Sequence, residues 1–448
     1  MSPLQSPKLR RIIAAYTVNR LGTWFGVVAL SIAVFDQTHS AIAVAALLVA
    51  GQALPAFIVP AVVARVESSQ RRSELSGLYF FEAVTTAALA VLLMHFWLPA
   101  VLLLAALDGT AAIAASALLR AEVARAAREH VVATAGSQAG AGNPIAGDEL
   151  TVSARSGGES FAGEDATDAA ERKANAALNV AFSVTFVLGP AVAGAIVAAA
   201  GAPTALYIDV GSFLVCGALL RDLHPHVEEA GGDSVRARLR AAWRHINEAP
   251  SLRTLLLIEA VALVFAESAG PIQVAFAKAT LRAGDGGYGL LLGAWGAGAV
   301  LGSLIFARSL KRSLGILLSA GTFTVGLAYV GFAASPSLLL ACIASLVGGI
   351  GNGVELPCLT SIVQQLTPKP LHGRMMGAVE SLTALCLAVG LPLGGALVAL
   401  SSPRTAFLVV GVGVAAASAG LLGLSSRTGP GRAERACGSV AERDASAH

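Results

Sequence analysis

The chain has 448 residues, 55% of them hydrophobic and 13% charged, with a formal net charge of +3 at neutral pH. A soluble domain carries about 25% charged residues, so this composition excludes a water-facing globular surface and, with it, an ordinary soluble enzyme. The small positive balance leaves no nucleic-acid footprint; on such a chain the basic loops face anionic lipid headgroups.

Crossing a bilayer as a helix takes about 20 mostly apolar residues, and runs of that length recur through the chain. They fall at 12–34, 41–63, 75–95, 98–118, 176–199, 203–221, 254–275, 288–307, 314–334, 337–361, 376–399 and 404–425. Long apolar blocks differ from the roughly 10-residue alternation of a barrel. The expected fold class is an all-α polytopic membrane protein, with twelve transmembrane helices in two pseudo-symmetric six-helix bundles.

A short cytoplasmic N-terminus, 1–11, precedes the first span. That span holds Asn19, Arg20 and Trp24. It is long for a signal-peptide core and no small-residue cleavage site follows, so it reads as a retained helix. Glu67, Arg71 and Arg72 lie in the loop before the third span, which carries Glu82; Asp36 and His39 read as a solvated turn. Trp97 reads as an interfacial anchor, and Asp108 sits near the middle of the fourth span. Residues 129–171 are rich in Gly, Ala, Ser, Asp and Glu without apolar periodicity. They read as a disordered cytoplasmic insertion, either a passive linker or a docking segment. Gly189-Pro190 and Gly194 lie in the fifth span and Asp209 in the sixth, which closes the first bundle, 12–221.

The central linker, 222–253, places Val235, Leu239, Trp243 and Ile246 at helical spacing among Arg236, Arg238, Arg240 and Arg244. This predicts an amphipathic helix on the inner membrane surface. The second bundle, 254–425, carries Glu259 and Glu267 in the seventh span and Glu355 in the tenth. The run Gly348-Gly349-Ile350-Gly351-Asn352-Gly353 sits inside a span with no strand before it, so it reads as helix packing or a hinge. No phosphate-binding loop of the Gly-x-x-x-x-Gly-Lys-Ser/Thr type occurs, which argues against ATP as the energy source. Cys216, Cys342, Cys358, Cys386 and Cys437 lack paired spacing and read as small hydrophobes, without a disulfide framework or metal site. A cytoplasmic tail, 426–448, follows.

Positive charge sets the expected orientation. Only Lys278, Arg282 and Arg404 fall in the outer loops and Arg20 within a span; the rest of the 31 Lys and Arg lie on the inner side. By the positive-inside rule both termini are cytoplasmic. The two halves also resemble each other. Gly189, Gly194, Ala195, Val197 and Ala198 match Gly390, Gly395, Ala396, Val398 and Ala399 at an offset of 201, while Arg71-Arg72 fall on Lys311-Arg312 at 240. The difference of 39 is the insertion. Two repeated six-helix bundles are the architecture of carriers that rock about a midplane site.

Several local patterns then converge. Arg20-Leu21-Gly22-Thr23-Trp24 is similar to a Gly-Asp-Trp entry, with Thr23 at the acidic position. Ala174-Asn175-Ala176-Ala177-Leu178-Asn179 leads into Gly189-Pro190 and Gly194. Tyr207-Ile208-Asp209-Val210-Gly211-Ser212-Phe213 marks the sixth span. Arg238-Leu239 through Ala249-Pro250-Ser251-Leu252-Arg253 leads into the seventh. Over roughly 12–425, apart from the insertion, the sequence resembles the major facilitator superfamily, and within it the bacterial drug-exporter and enterobactin-exporter branch. The resemblance implies a bacterial cytoplasmic membrane, no cofactor, and a small-molecule substrate as partner along with protons and membrane lipids. The superfamily's loop motif Gly-x-x-x-Asp-Arg-x-x-Arg-Arg is degenerate here: Val63 replaces Gly and Glu67 the acid, with Arg71 and Arg72 retained.

The resemblance also implies that spans one, four, seven and ten line the cavity, and that the Gly189-Pro190 bend belongs to exporters. An ionisable side chain at the bilayer centre costs about 3 kcal/mol on insertion scales, so it faces a cavity or a partner. Asp108, Glu267, Glu259, Glu355, Arg20 and Trp24 are therefore the candidates for substrate and proton handling. Structural pairing is the competing role for each, and for Glu82 and Asp209 the structural role leads. Arg20 either meets a carboxylate or reaches for the headgroups. The expected activity is proton-coupled export of a small hydrophobic or amphipathic molecule, of drug or siderophore type, by alternating access. A non-transporting scaffold or sensor, and a uniporter or importer, are the alternatives.

Overall fold

The computed structural model of the chain describes residues 6–59, 74–139, 152–221, 235–309 and 312–427. Twelve helices among them are long and apolar enough to cross a membrane. In chain order they are Pro7–Thr38, Ala41–Val59, Leu75–His95, Leu98–Arg120, Ala176–Ala200, Ala202–Leu220, Pro250–Thr280, Gly284–Arg308, Leu314–Ala334, Leu338–Gln365, Lys369–Leu400 and Pro403–Gly423. They are called spans one to twelve below. The described residues contain no strand.

Local chemistry explains where spans start and bend. The Ser40 side chain caps span two by accepting from the Ala43 amide at 3.3 Å, and Ser337 does the same for span ten with Leu340. His39 (φ 50°) and Arg282 (φ 52°) turn the chain after spans one and seven, a shared left-handed corner of the two repeats. Span seven is broken at Ser268. Pro271 has no amide hydrogen for the Glu267 carbonyl, and its ring crowds that oxygen. Span two holds a π-turn at Val49–Ala53 and span seven another at Phe276–Thr280; the first ends two residues before Pro55, which likewise cannot donate to Gly51.

By contact the chain forms two units, Met1–Ala29 with Ile58–Ala230, and Leu30–Phe57 with Gly231–His448. In the first, span three packs on spans four and six, and span five on four and six. Its core includes Leu9, Ile12, Tyr79, Leu119 and Phe213. In the second, span ten packs between eight and nine, and span twelve on nine and seven. The boundary cuts span one and places span two with the later helices, so it does not follow the two sequence repeats. The reason is Gly395 in span eleven: a Cβ there would lie 2.9 Å from Ala45 Cβ and 3.1 Å from the Ala41 oxygen, so only glycine lets span two come this close.

Two expectations change. The insertion 129–171, read as disordered, is helical at 129–139 and 152–171, continuing the helices Leu98–Ala139 and Val152–Ala200. Its Ala and Glu residues favour helix once a membrane span has already nucleated one, and offset the cost of its Gly and Ser. The linker helix Val235–Glu248 forms as predicted, but its apolar face divides. Ala242 and Ile246 pack on the core of the second unit, and His245 Nε2 lies 3.2 Å from the Leu366 oxygen. Trp243 points away, 66% exposed, alongside exposed Arg240 and Arg244.

Candidate functional site

The second unit gathers three of the sequence candidates. Gly321 in span nine admits span ten so closely that a Cβ on it would lie 3.1 Å from the Glu355 amide nitrogen. At that approach the Thr322 hydroxyl donates to Glu355 Oε1 at 3.1 Å. Glu259 in span seven is 1% exposed, and neither carboxyl oxygen has a hydrogen-bond partner. Its electrostatic neighbour is Glu355. Two buried carboxyls from spans seven and ten thus lie within electrostatic reach of each other, with one hydroxyl donor, Thr322 of span nine, on Glu355. Glu267 stands apart, half-buried at the break in span seven, where a Cβ on Gly390 of span eleven would lie 2.9 Å from Glu267 Cβ. Tyr329 donates to the Ala266 carbonyl at 3.3 Å beside it, and Trp295 stacks on Tyr329 at 5.7 Å.

The first unit places Asp108 against span three. The hydroxyls of Thr85 and Thr86 donate to Asp108 Oδ1 at 2.7 and 3.0 Å. Glu82, one turn earlier on span three, is fully buried and neither carboxyl oxygen has a hydrogen-bond partner. Asp108 and Asp209 lie within its electrostatic reach. Asp209 accepts from Ser212 at 3.0 Å and occupies room left by Gly22 and Gly26 of span one. Asp209 therefore has the structural bond expected of it, whereas Glu82 has none.

Arg20 meets no carboxylate among the described residues. Its guanidinium lies 5.1 Å over the Phe182 ring in span five. Trp24, one turn on, meets Phe186 edge-on at 5.2 Å and lies against Gly189. Gly189 and Gly390 are repeat partners, and each receives span one or span seven of its own unit: Gly189 takes Trp24, Gly390 takes Glu267. Pro190 lies within a continuous helix, and Gly194 is buried. Glu67, Arg71 and Arg72 lie outside the described residues.

Thr85, Thr86 and Thr322 carry no signal in the sequence, and their contacts are visible only when helices pack. The same holds for Phe182 and Phe186 and for the ion pair of Lys278 with Asp36, 2.8 Å, where the sequence reads as a solvated turn. At the offset of 240, Glu82 of span three falls on Thr322 of span nine and Ala115 of span four on Glu355 of span ten, so each repeat places a buried carboxylate at one position of this pair.

The family model described as a transmembrane secretion effector matches residues 163–437. The multidrug efflux pump Tap of Mycolicibacterium fortuitum is 26% identical over 257 residues, 53% of this chain and 59% of that protein. The uncharacterized MFS-type transporter YfiS of Bacillus subtilis (strain 168) is 25% identical over 236 residues, 50% of this chain and 57% of that protein. Each match thus spans less than two thirds of the relative. The fold is similar to that of the nucleoside transporter NupG, with a TM-score of 0.70, 11% identity, and 94% and 99% of the two chains covered. It is also similar to a bacterial homologue of the iron transporter ferroportin, at 0.66, 16% identity, and 94% and 100% coverage.

Proposed function

Starting from a chain that belongs to the transmembrane secretion effector family of major facilitator transporters, we propose that it is a secondary active exporter driven by protons. Its cargo is a small hydrophobic or amphipathic molecule, moved by alternating access out of a bacterial cell. Both termini face the cytoplasm. Efflux is supported by the name of the relative Tap, and the inner placement of Lys and Arg supports the orientation.

The observation that carries proton coupling is the pair Glu259 and Glu355. An unpartnered carboxyl buried in a span is expensive and is retained for a task. Loading or unloading one proton changes the charge of this dry site by one unit. Such a change alters which packing of spans seven, nine and ten is stable, and so ties protonation to conformation. Thr322 holds Glu355 in place while Glu259 exchanges the proton. Glu267, Asp108, Arg20 and Trp24 remain candidates for the cargo and for relay.

Inverted vesicles with an imposed pH gradient test the reading. Glu259→Gln and Glu355→Gln are expected to abolish gradient-driven flux while leaving downhill exchange of the cargo. Wild-type flux that persists after the gradient is collapsed would remove proton coupling.

A further inference from the structure

One cluster in the first unit bears on what the cargo is. Arg20 stands about 20 Å along span one at 1.5 Å per residue, half-buried and stacked on Phe182. Phe182 stacks in turn on Phe186 at 5.5 Å, and Trp24 closes on Phe186. The arrangement follows from helical spacing. Residues 20 and 24 share one face of span one, and 182, 186 and 189 share one face of span five. Phe182 keeps 36% of its surface exposed.

The missing element is a counter-ion. Arg20 shares a side-chain hydrogen bond with Tyr16, which leaves other guanidinium N–H groups to donate, and its further electrostatic neighbour is a second arginine, Arg120 at the end of span four. Glu122 and Glu129, on the same helix as Arg120, are taken by Lys8 and Arg125. Asp108 and Asp209 are held by threonine and serine hydroxyls. Two cations without an acid between them are unfavourable at low dielectric. A guanidinium stacked by its face on a ring still offers its N–H edge to a carboxylate, sulfonate or phosphate.

We propose that Arg20, with Arg120 nearby and with Trp24, Phe182 and Phe186, forms a binding site for an amphipathic organic anion. The guanidinium edge takes the anionic group, and the rings take the aromatic or apolar body. As a statement about cargo this rests on the exporter reading; as a statement about binding it does not. An anionic lipid shares this chemistry, so the test separates the two sources.

Fluorescence titrations on the purified full chain in neutral detergent use three probes. Anilinonaphthalene sulfonate is the anion, phenylnaphthylamine its neutral counterpart, and ethidium a cation. Arg20→Gln is expected to weaken the anion by about tenfold, the loss of one charge-assisted hydrogen bond, and to leave the neutral probe unchanged. Arg20→Lys falls between, and the exposed Arg120→Gln gives a smaller loss of the same kind. Phe182→Ala weakens both the anion and the neutral probe. An anion-to-neutral ratio that Arg20→Gln and Arg120→Gln leave unchanged overturns the site, as does wild-type preference for ethidium or no binding of the anion. Displacement of the probe by phosphatidylglycerol but not phosphatidylcholine assigns the site to lipid; no displacement assigns it to a soluble anion. Arg20-dependent binding without gradient-driven flux would sink the exporter reading and keep the site, while flux without such binding would do the reverse.

Discussion

Asp108 shows how a single residue's role depends on its neighbour. Mid-span placement made it a cavity candidate, yet it accepts two hydroxyl bonds from Thr85 and Thr86. The Thr85 hydroxyl also reaches the Phe81 and Glu82 carbonyls of its own helix at 3.1 and 3.0 Å, so the cluster ties span three to span four. Asp108→Asn retains an oxygen to accept these bonds. It is expected to fold to normal levels but to lose most gradient-driven flux; wild-type flux would take Asp108 out of the coupling path. Thr85→Val with Thr86→Val instead leaves a buried carboxylate oxygen unmatched. That pair should cost about 1–3 kcal/mol per lost partner, read as a lower melting temperature in detergent. Glu82 stands out in the sequence as an ionisable residue in a span, but the absence of a hydrogen-bond partner for its carboxyl does not, because burial inside a bundle and exposure to lipid demand the same apolar surroundings.

Between elements, glycine sets the spacing. Spans eight and ten meet through Gly298 and Gly302 on one side and Gly349 and Gly353 on the other. A Cβ on any of the four would run into carbonyl oxygens of the facing helix, those of Leu346, Ile350, Trp295 and Ala299 respectively. The glycine run in span ten is therefore a packing face, one of the two readings its position allowed. Gly349→Leu should abolish accumulation of folded protein, or lower its stability by more than the 1–3 kcal/mol typical of overpacking. Gly77→Ala, with nothing within 4 Å of the added carbon, serves as the control and should be neutral.

A second inter-element tie is electrostatic. Lys8 at the start of span one reaches Glu122 at 3.3 Å and Glu129 at 2.8 Å, and Arg125 binds both acids. The hydrogen bond from Lys8, then the charges of Lys8 and Arg125, hold the Glu129 carboxyl below its usual range. Its folded value lies below its unfolded one, so its contribution is complete above the unfolded value of about 4.3 and fades as pH falls through the folded value. Glu129→Gln should lower thermal stability slightly at pH 7, and the gap to wild type should close below about pH 4. Glu129 is half exposed, so high salt should shrink the effect as well. A gap that is constant with pH would show that the glutamate acts through packing alone.

At the scale of the whole chain, the last turns of spans one and seven and the start of span eight share one charge cluster. Lys278 binds Asp36 at 2.8 Å and also pairs with Asp285. The π-turn at Phe276–Thr280 places Lys278 in this position. In the same unit, Ala45 of span two is 2% exposed against Gly395. Removing the lysine should loosen this end of the second unit. In a Lys278→Met background, a cysteine at position 45 is expected to react several-fold faster with a membrane-impermeant maleimide than in the parent, above the background of the native cysteines. Equal rates would make the cluster an ordinary surface ion pair of about 0–1 kcal/mol.

The number and order of the twelve spans were legible in the chain, with limits that fall within about seven residues of the helix ends, because lipid demands long apolar helices and those leave a plain linear pattern. The sequence also located the ionisable residues, since each is conspicuous against an apolar background. Which of them meet is set by how the helices pack. Glu259 comes within electrostatic reach of Glu355, Asp108 turns to two threonines, and Arg20 finds Tyr16, an aromatic ring and a second arginine in place of an acid. Those choices rest on which glycine lets which helix approach. A missing side chain looks the same at every position of a one-dimensional chain, and its effect depends on the atoms of the facing helix.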